Sequence, residues 1–289
     1  ALMAPTELLA EQHYSTLQQW CRPLGVEVIL LTGKLGRKER TRCLEILAQE
    51  KPCIVAGTHA LFQQDVEFSR LRLVIIDEQH RFGVHQRLAL FEKGKAAEAF
   101  PHQLIMTATP IPRTLAMTLY AALDISVIDE LPPGRKPVHT AIVPTTKRDE
   151  VIDRIAAACT DGRQAYWVCP LIDESDAVRQ QAAEETAEVL AAALPGVRIG
   201  LVHGRMPGRR KDEVMTAFKQ GQLDLLVATT VIEVGVDVPN ASLMVIENAE
   251  RMGLAQLHQL RGRVGRGSVE SSCVLLYQPP LPPLAHERL

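Results

Sequence analysis

The sequence predicts an α/β protein of two lobes, each a mainly parallel sheet covered by helices. Its 289 residues exceed one typical domain. Aliphatic residues are plentiful and aromatics make up only 4%, a composition suited to helices packed on parallel sheets and not to an all-β sandwich. Strand and helix signals alternate along the chain and are interrupted at residues 131–138, Leu-Pro-Pro-Gly-Arg-Lys-Pro-Val. Three prolines and a glycine cannot continue a helix or a central strand. The expected domains are residues 1–130, a linker at 131–138, and residues 139–289.

In chain order, residues 2–4 form a first short strand, and Thr6 caps a helix whose first turn carries Glu7. Leu9, His13, Leu17 and Trp20 recur along it at near-helical spacing. A strand at 26–31, a helix with a basic outer face at 37–48 and a strand at 53–56 follow. Next come a strand ending at Asp77, another at 103–106, and a helix opened by Pro112 at a tolerated first-turn position. Beyond the linker, strands are expected at 140–143, 164–169, 197–202, 225–228, 243–247 and 273–277, with helices at 147–159, 176–194 and 208–219. Strands separated by helices imply βαβ crossovers and therefore parallel pairing. No tandem repeat of about 20 to 50 residues is visible.

The segment with the clearest chemistry is Leu73-Val-Ile-Ile-Asp-Glu-Gln-His80, an apolar run ending in two carboxylates, an amide and an imidazole. An unbroken aliphatic run suits a strand buried on both faces. Asp77 and Glu78 then sit at its carboxyl end, where open α/β sheets bind ligands, and can hold a hydrated divalent metal and orient a water. A helix cap followed by a solvated acid would look the same in this tetrapeptide, and the rest of the chain decides between them.

Thr107-Ala-Thr-Pro-Ile-Pro-Arg113 emerges from the next strand, so Thr107 and Thr109 can relay the state of that site through Gln79 or His80; a turn with a cap is the plainer reading. The run Gln256-Leu-His-Gln-Leu-Arg-Gly-Arg-Val-Gly-Arg-Gly267 is richer. Arg263 and Arg266 are three apart, which on a helical turn points both guanidiniums one way, and the glycines permit close approach. Glycine costs a helix interior about 1 kcal/mol, so a purely structural motive is poor. Paired arginines suit a transferring phosphoryl group, with a basic surface patch as the alternative.

Between these runs, Ala228-Thr-Thr-Val-Ile-Glu-Val-Gly-Val-Asp-Val-Pro-Asn240 places Gly235 and Asp237 in a loop, where Asp237 can accept from a ribose hydroxyl and Thr229 and Thr230 can touch a phosphate. The same loop reads equally as a turn acid satisfying nearby amides. Pro5-Thr6, Gly57-Thr58-His59 and His203-Gly204-Arg205 each offer backbone N–H groups near a helix start to a nucleic-acid backbone. For Arg209, Arg210 and Lys211, a solvated basic face is the better reading.

Composition narrows the alternatives. The formal net charge of −2 and pI near 6.6 give no global signal for nucleic acid. Six scattered cysteines without a Cys-x-x-Cys read as reduced thiols of a cytoplasmic protein, neither a disulfide frame nor a zinc site. No stretch approaches the roughly 18 apolar residues of a membrane span, so no membrane role is expected.

Taken in order, these segments resemble the motif series of superfamily 2 helicases, with the acid tetrapeptide in DExH form. The details are similar to the RecG family of ATP-dependent DNA helicases: Ala4-Pro-Thr-Glu-Leu-Leu-Ala, Gly57-Thr-His-Ala, Asp77-Glu-Gln-His-Arg-Phe-Gly-Val, Thr107-Ala-Thr-Pro-Ile-Pro-Arg-Thr, and the run from Gln256 to Arg266. The transcription-repair coupling factor shares most of these, but Gln79 and Gly83-Val-His-Gln-Arg point to RecG.

The resemblance implies two RecA-like lobes, the first incomplete at its N-terminus, using ATP and Mg²⁺. Asp77 would bind the metal, Glu78 would activate the attacking water, and Gln79 and His80 would couple to Thr107 and Thr109. Gly235, Asp237 and Gln259 would contact nucleotide from the second lobe, with Arg263 and Arg266 acting as fingers across the cleft. Nucleic acid would meet Pro5, Thr6, Gly57, Thr58, His59, Gly204, Arg205, Thr229 and Thr230. The implied partners are double-stranded and branched DNA, such as replication forks and Holliday junctions, handled by a monomeric motor in repair and recombination.

One departure stands out: the sequence contains no Gly-x-x-x-x-Gly-Lys-Ser/Thr, and Gly33-Lys34 is followed by Leu35. Without that phosphate cradle the segment is expected not to hydrolyse ATP by itself, and truncation is the expected reason. The competing readings are a nucleotide-free DNA-binding module and, more distantly, a metal-dependent nuclease, for which Asp77-Glu78 lacks further convergent acids.

Overall fold

The computed structural model describes residues 1–94, 100–107, 124–169, 176–229, 238–267 and 269–289. Two compact units divide the chain, Ala1–Pro110 and Ile111–Leu289.

The first unit contains β1 (Leu2–Met3), α1 (Glu7–Cys21), β2 (Glu27–Leu31), α2 (Arg37–Ala48), β3 (Cys53–Gly57), β4 (Leu73–Ile76), α3 (Val84–Glu92) and β5 (His102–Ile105). Its sheet has the order β2-β3-β1-β4-β5, and every pairing is parallel. Met3, Leu31, Val74 and Ile76 are fully buried in its core. Thr6 caps α1 as expected, its hydroxyl accepting from the Leu9 amide at 3.3 Å. Trp20 departs from the rest of its helical series and is 68% exposed.

The second unit contains β6 (His139–Pro144), α4 (Arg148–Thr160), β7 (Gln164–Val168), α5 (Asp176–Ala193), β8 (Ile199–Val202), α6 (Gly208–Lys219), β9 (Leu225–Ala228), β10 (Ala241–Ile246), α7 (Leu254–Arg261), β11 (Ser272–Tyr277) and α8 (Pro283–Arg288). Its parallel sheet runs β6-β11-β10-β7-β9-β8. The strand β7 is buried along its whole length, and Trp167 anchors the core beneath it. Buried Gln164 donates to the Phe218 and Leu223 carbonyls at 2.6 and 2.7 Å, tying β7 to the end of α6. The proline-rich segment expected as a linker falls in this unit, where Arg135 Nε donates to the Gly265 carbonyl at 2.8 Å. The helix expected after Pro112 lies outside the described residues.

The two sheets are built on one plan. Matching β2-β3-β1-β4-β5 to β8-β9-β7-β10-β11 pairs every strand of the first with one of the second, and β6 is an addition at the edge. The expectation of no repeat holds only for short tandem periods: here a whole α/β sheet recurs. Among the described residues no helix is long and apolar enough to cross a membrane.

Candidate nucleotide site and nucleic-acid edge

The acid pair stands where the sequence put it, at the carboxyl end of β4, between β1 and the edge strand β5. The Asp77 amide donates to the Met3 carbonyl at 2.9 Å, continuing the sheet by one residue. Glu78 then takes a left-handed conformation, φ 50° and ψ 54°. Such a conformation costs a residue with a Cβ roughly 1–2 kcal/mol and requires support from its surroundings. It turns the chain into a 3₁₀ turn, Gln79–Arg81, and the Gln79 amide reaches the Met106 carbonyl at 3.1 Å. The acid loop is thereby bonded to the residue before Thr107.

Asp77 is held at both oxygens. Oδ1 accepts the Glu78 amide at 2.9 Å, and Oδ2 lies 2.8 Å from Nε2 of His13 on α1. No motif around His13 signals this role directly. Its place in the helical series with Leu9 and Leu17 put it on α1, but only the fold brings α1 beside the end of β4.

The second lobe repeats this loop residue for residue. Residues 74–86, Val-Ile-Ile-Asp-Glu-Gln-His-Arg-Phe-Gly-Val-His-Gln, correspond at a constant offset to 244–256, Met-Val-Ile-Glu-Asn-Ala-Glu-Arg-Met-Gly-Leu-Ala-Gln. Asn248 takes the position of Glu78 with φ 45°, and these two are the described non-glycine residues with positive φ. A 3₁₀ turn follows each, and the amides of Gly83 and Gly253 donate to the side-chain oxygens of Gln86 and Gln256 at 3.1 and 3.3 Å. The difference lies in charge. Glu247, the counterpart of Asp77, is paired at 2.8 Å with the Arg148 guanidinium, which stacks 5.0 Å from the centre of the Trp167 ring. A fixed cation occupies the second loop's acid, whereas the first loop's acid faces an imidazole, which can donate one hydrogen bond without bringing a full positive charge.

Among the described residues no group of three or more His, Cys, Asp or Glu side chains converges to hold a metal. Mg²⁺ does not require such a group, because it keeps several waters and takes one or two carboxylates together with substrate phosphates. Asp77, side chain 20% exposed and with one protein hydrogen bond on each oxygen, retains lone pairs for such an ion. Burial pushes the Cys169 and Cys273 thiols up to about 12, leaving those two almost no thiolate at neutral pH.

The arginine run departs from its expected geometry. The helix α7 ends at Arg261, and Gly262 and Gly265 carry the chain away from it, Gly265 at φ 74°. Arg263 and Arg266 are therefore not presented by one helical turn: Arg263 is 6% exposed, whereas Arg266 is exposed, with Nε donating to the Gly262 carbonyl at 3.3 Å. The glycines have packing reasons. A Cβ on Gly265 would lie 2.7 Å from Val138 Cγ2, and one on Gly267 would lie 2.6 Å from the Pro239 carbonyl oxygen. Half-buried Gln259 lies on α7, on the side of the run where the helix is intact.

The residues expected to meet nucleic acid divide by exposure. His59, Gly204 and Arg205 are exposed; Pro5 and Thr6 are half-buried; Gly57, Thr58 and Thr229 are buried. Gly57 is required by packing, because a Cβ there would collide with the Leu31 carbonyl oxygen. Thr58 and Thr229 occupy equivalent positions after β3 and β9, and their amides bond the equivalent Leu31 and Val202 carbonyls at 3.3 and 3.1 Å. Likewise Gly33-Lys34 after β2 matches Gly204-Arg205 after β8. Lys34 pairs with Glu7 at 2.8 Å. Thr109, Thr230, Gly235 and Asp237, and the side chain of His80, lie outside the described residues.

Comparison with known proteins accords with this architecture. Residues 1–118 match the DEAD/DEAH box helicase family and residues 146–268 the helicase conserved C-terminal domain. The chain is a two-lobed helicase core of superfamily 2. It is 66% identical to the ATP-dependent DNA helicase RecG of Escherichia coli and 63% to that of Haemophilus influenzae, over its full length and 42% of each relative. A solved structure of RecG bound to a three-way DNA junction is 45% identical, with a TM-score of 0.80, over 99% of this chain and 37% of that one. The chain belongs to the RecG-type helicases and spans less than half the length of the curated relatives it matches.

Proposed function

We propose that this chain is the motor core of an ATP-dependent DNA translocase that remodels branched DNA, replication forks and Holliday junctions among them, in repair and recombination. Residues 1–130 serve as the nucleotide-binding lobe, 131–138 as the linker and 139–289 as the C-terminal lobe. The observation that carries the reading is the duplicated loop: of two equivalent acids at the ends of equivalent strands, Glu247 is paired with an arginine whereas Asp77 meets a histidine.

In this reading Asp77 holds Mg²⁺, which when bound neutralises charge on the nucleotide phosphates. Glu78 accepts the proton of the attacking water, a role supported by its position at the left-handed turn directly after the metal ligand. Gln79 and His80 transmit occupancy to Thr107 and Thr109. Gly235, Asp237 and Gln259 contact the nucleotide, and Arg263 and Arg266 supply positive charge to the transferring phosphoryl group. The exposed His59, Gly204 and Arg205 meet the DNA backbone together with Pro5, Thr6, Gly57, Thr58, Thr229 and Thr230. Turnover by the 289-residue segment alone is not expected, because its sequence contains no phosphate-loop motif.

The test is Glu78→Gln in the full-length protein. ATP and DNA binding are expected to persist while DNA-stimulated hydrolysis falls by at least about 100-fold, the range typical of losing a general base. Hydrolysis at the wild-type rate would refute the assignment.

A further inference from the structure

We infer that His13 is a positioning residue for the Asp77 carboxylate, an extension that rests on Asp77 being the metal ligand. The two residues are far apart in sequence, yet Nε2 of His13 and Oδ2 of Asp77 are 2.8 Å apart. Neither side chain is deeply buried, at 26% and 20% exposed. The contact is therefore not forced by close packing of an apolar core. With Oδ1 already bonded to the Glu78 amide at 2.9 Å, a second donor on Oδ2 removes the carboxylate's remaining freedom to rotate about its Cβ–Cγ bond.

The duplicated lobe supplies an internal control. There the same acid position is also pinned at 2.8 Å, but by Arg148, whose charge neutralises Glu247. Both lobes thus hold the acid after the strand, and only the first does so with a group able to act as a one-bond donor. In the first lobe the group that orients the acid is an imidazole nitrogen, 2.8 Å from Oδ2 of Asp77, in place of a guanidinium. Partners that orient a metal ligand typically matter by 10- to 100-fold in metal affinity. His13 reaches Asp77 from α1, the helix capped by Thr6 at its start. Thr6, expected to meet DNA, and the imidazole on Asp77 thus belong to one capped helix.

The experiment measures Mn²⁺ binding, as a Mg²⁺ surrogate, to the ADP-loaded full-length protein by electron paramagnetic resonance, with melting temperature followed in parallel. His13→Leu is expected to weaken Mn²⁺ binding by about 10-fold or more at an unchanged melting temperature. His13→Gln, which retains an N–H donor of similar reach, is expected to stay within about threefold of wild type, inside the typical loss for an outer partner. Wild-type affinity in a folded His13→Leu protein overturns the inference, as does equal loss in the Leu and Gln variants. Should Leu destabilise the lobe, His13→Ala serves the same purpose and is judged by the same outcomes. Asp77→Asn separates the two claims. If it binds Mn²⁺ normally, the metal-ligand reading itself fails; if it loses binding while His13→Leu does not, only the positioning role fails.

Discussion

The left-handed turn at Glu78 makes a stability prediction opposite to the usual ranking of alanine over glycine. In a helix or strand interior, glycine is the less stable by about 0.5–1 kcal/mol. At φ 50° the Cβ penalty of roughly 1–2 kcal/mol falls on alanine alone, against which glycine's larger unfolded-state entropy counts. Both substitutions remove the carboxylate, so their difference isolates the backbone. Glu78→Gly should therefore be more stable than Glu78→Ala by about 1 kcal/mol. With a urea dependence of about 2 kcal/mol per molar for a lobe of this size, that is a midpoint difference of roughly 0.5 M. Hydrogen exchange of peptides covering β1, β3 and β4 across a urea series reads the first lobe separately. An alanine variant equal to or more stable than the glycine variant would refute the left-handed geometry and with it the fixed placement of the Glu78 side chain.

Two further outcomes follow from the packing and the charges. Gly57→Ala forces a Cβ against the Leu31 carbonyl oxygen and the Leu61 side chain; a loss of about 1–3 kcal/mol in first-lobe stability is expected, read by the same hydrogen-exchange series. In the second lobe, the Arg198 guanidinium, 2.6 Å from Asp224, holds that carboxyl below its usual range. A depressed carboxylate stabilises the fold above its unfolded pKa of about 3.9 and loses that contribution as pH falls through the folded value. The stability gap between wild type and Arg198→Gln should accordingly be constant from about pH 7 to 5 and close below about pH 4, which acid titration of the urea midpoint checks.

Much of this molecule was legible in its residues. The helices at 37–48 and 208–219 fall on their expected bounds, and β9 does as well, because each is a clean periodic or apolar run flanked by Gly, Pro or a change of polarity. The acid pair at the end of β4 followed from an unbroken aliphatic strand meeting two carboxylates. What could not be read were features set by three-dimensional closure. His13 reaches Asp77 only once α1 packs over β2 and β3. The buried Arg263 parts from the exposed Arg266 because Gly265 must turn beneath Val138, where helical spacing alone predicted parallel guanidiniums. Gly57 reads as a ligand-facing residue until Leu31 is seen behind it. The duplication was present in the sequence, in Ile76 and Ile246, Gly83 and Gly253, Gln86 and Gln256, but it is sparse and widely spaced. A search tuned to short tandem periods passes over it, whereas the identical strand order makes it plain.

The proposed function makes Arg266 a source of positive charge for the transferring phosphoryl group. It is tested most directly by DNA-stimulated ATP turnover of the full-length protein carrying Arg266→Ala, measured beside equilibrium binding of a non-hydrolysable ATP analogue. The account predicts binding near wild type with turnover reduced by about 10³-fold or more, as for loss of an arginine finger. Turnover equal to that of the wild type would contradict it.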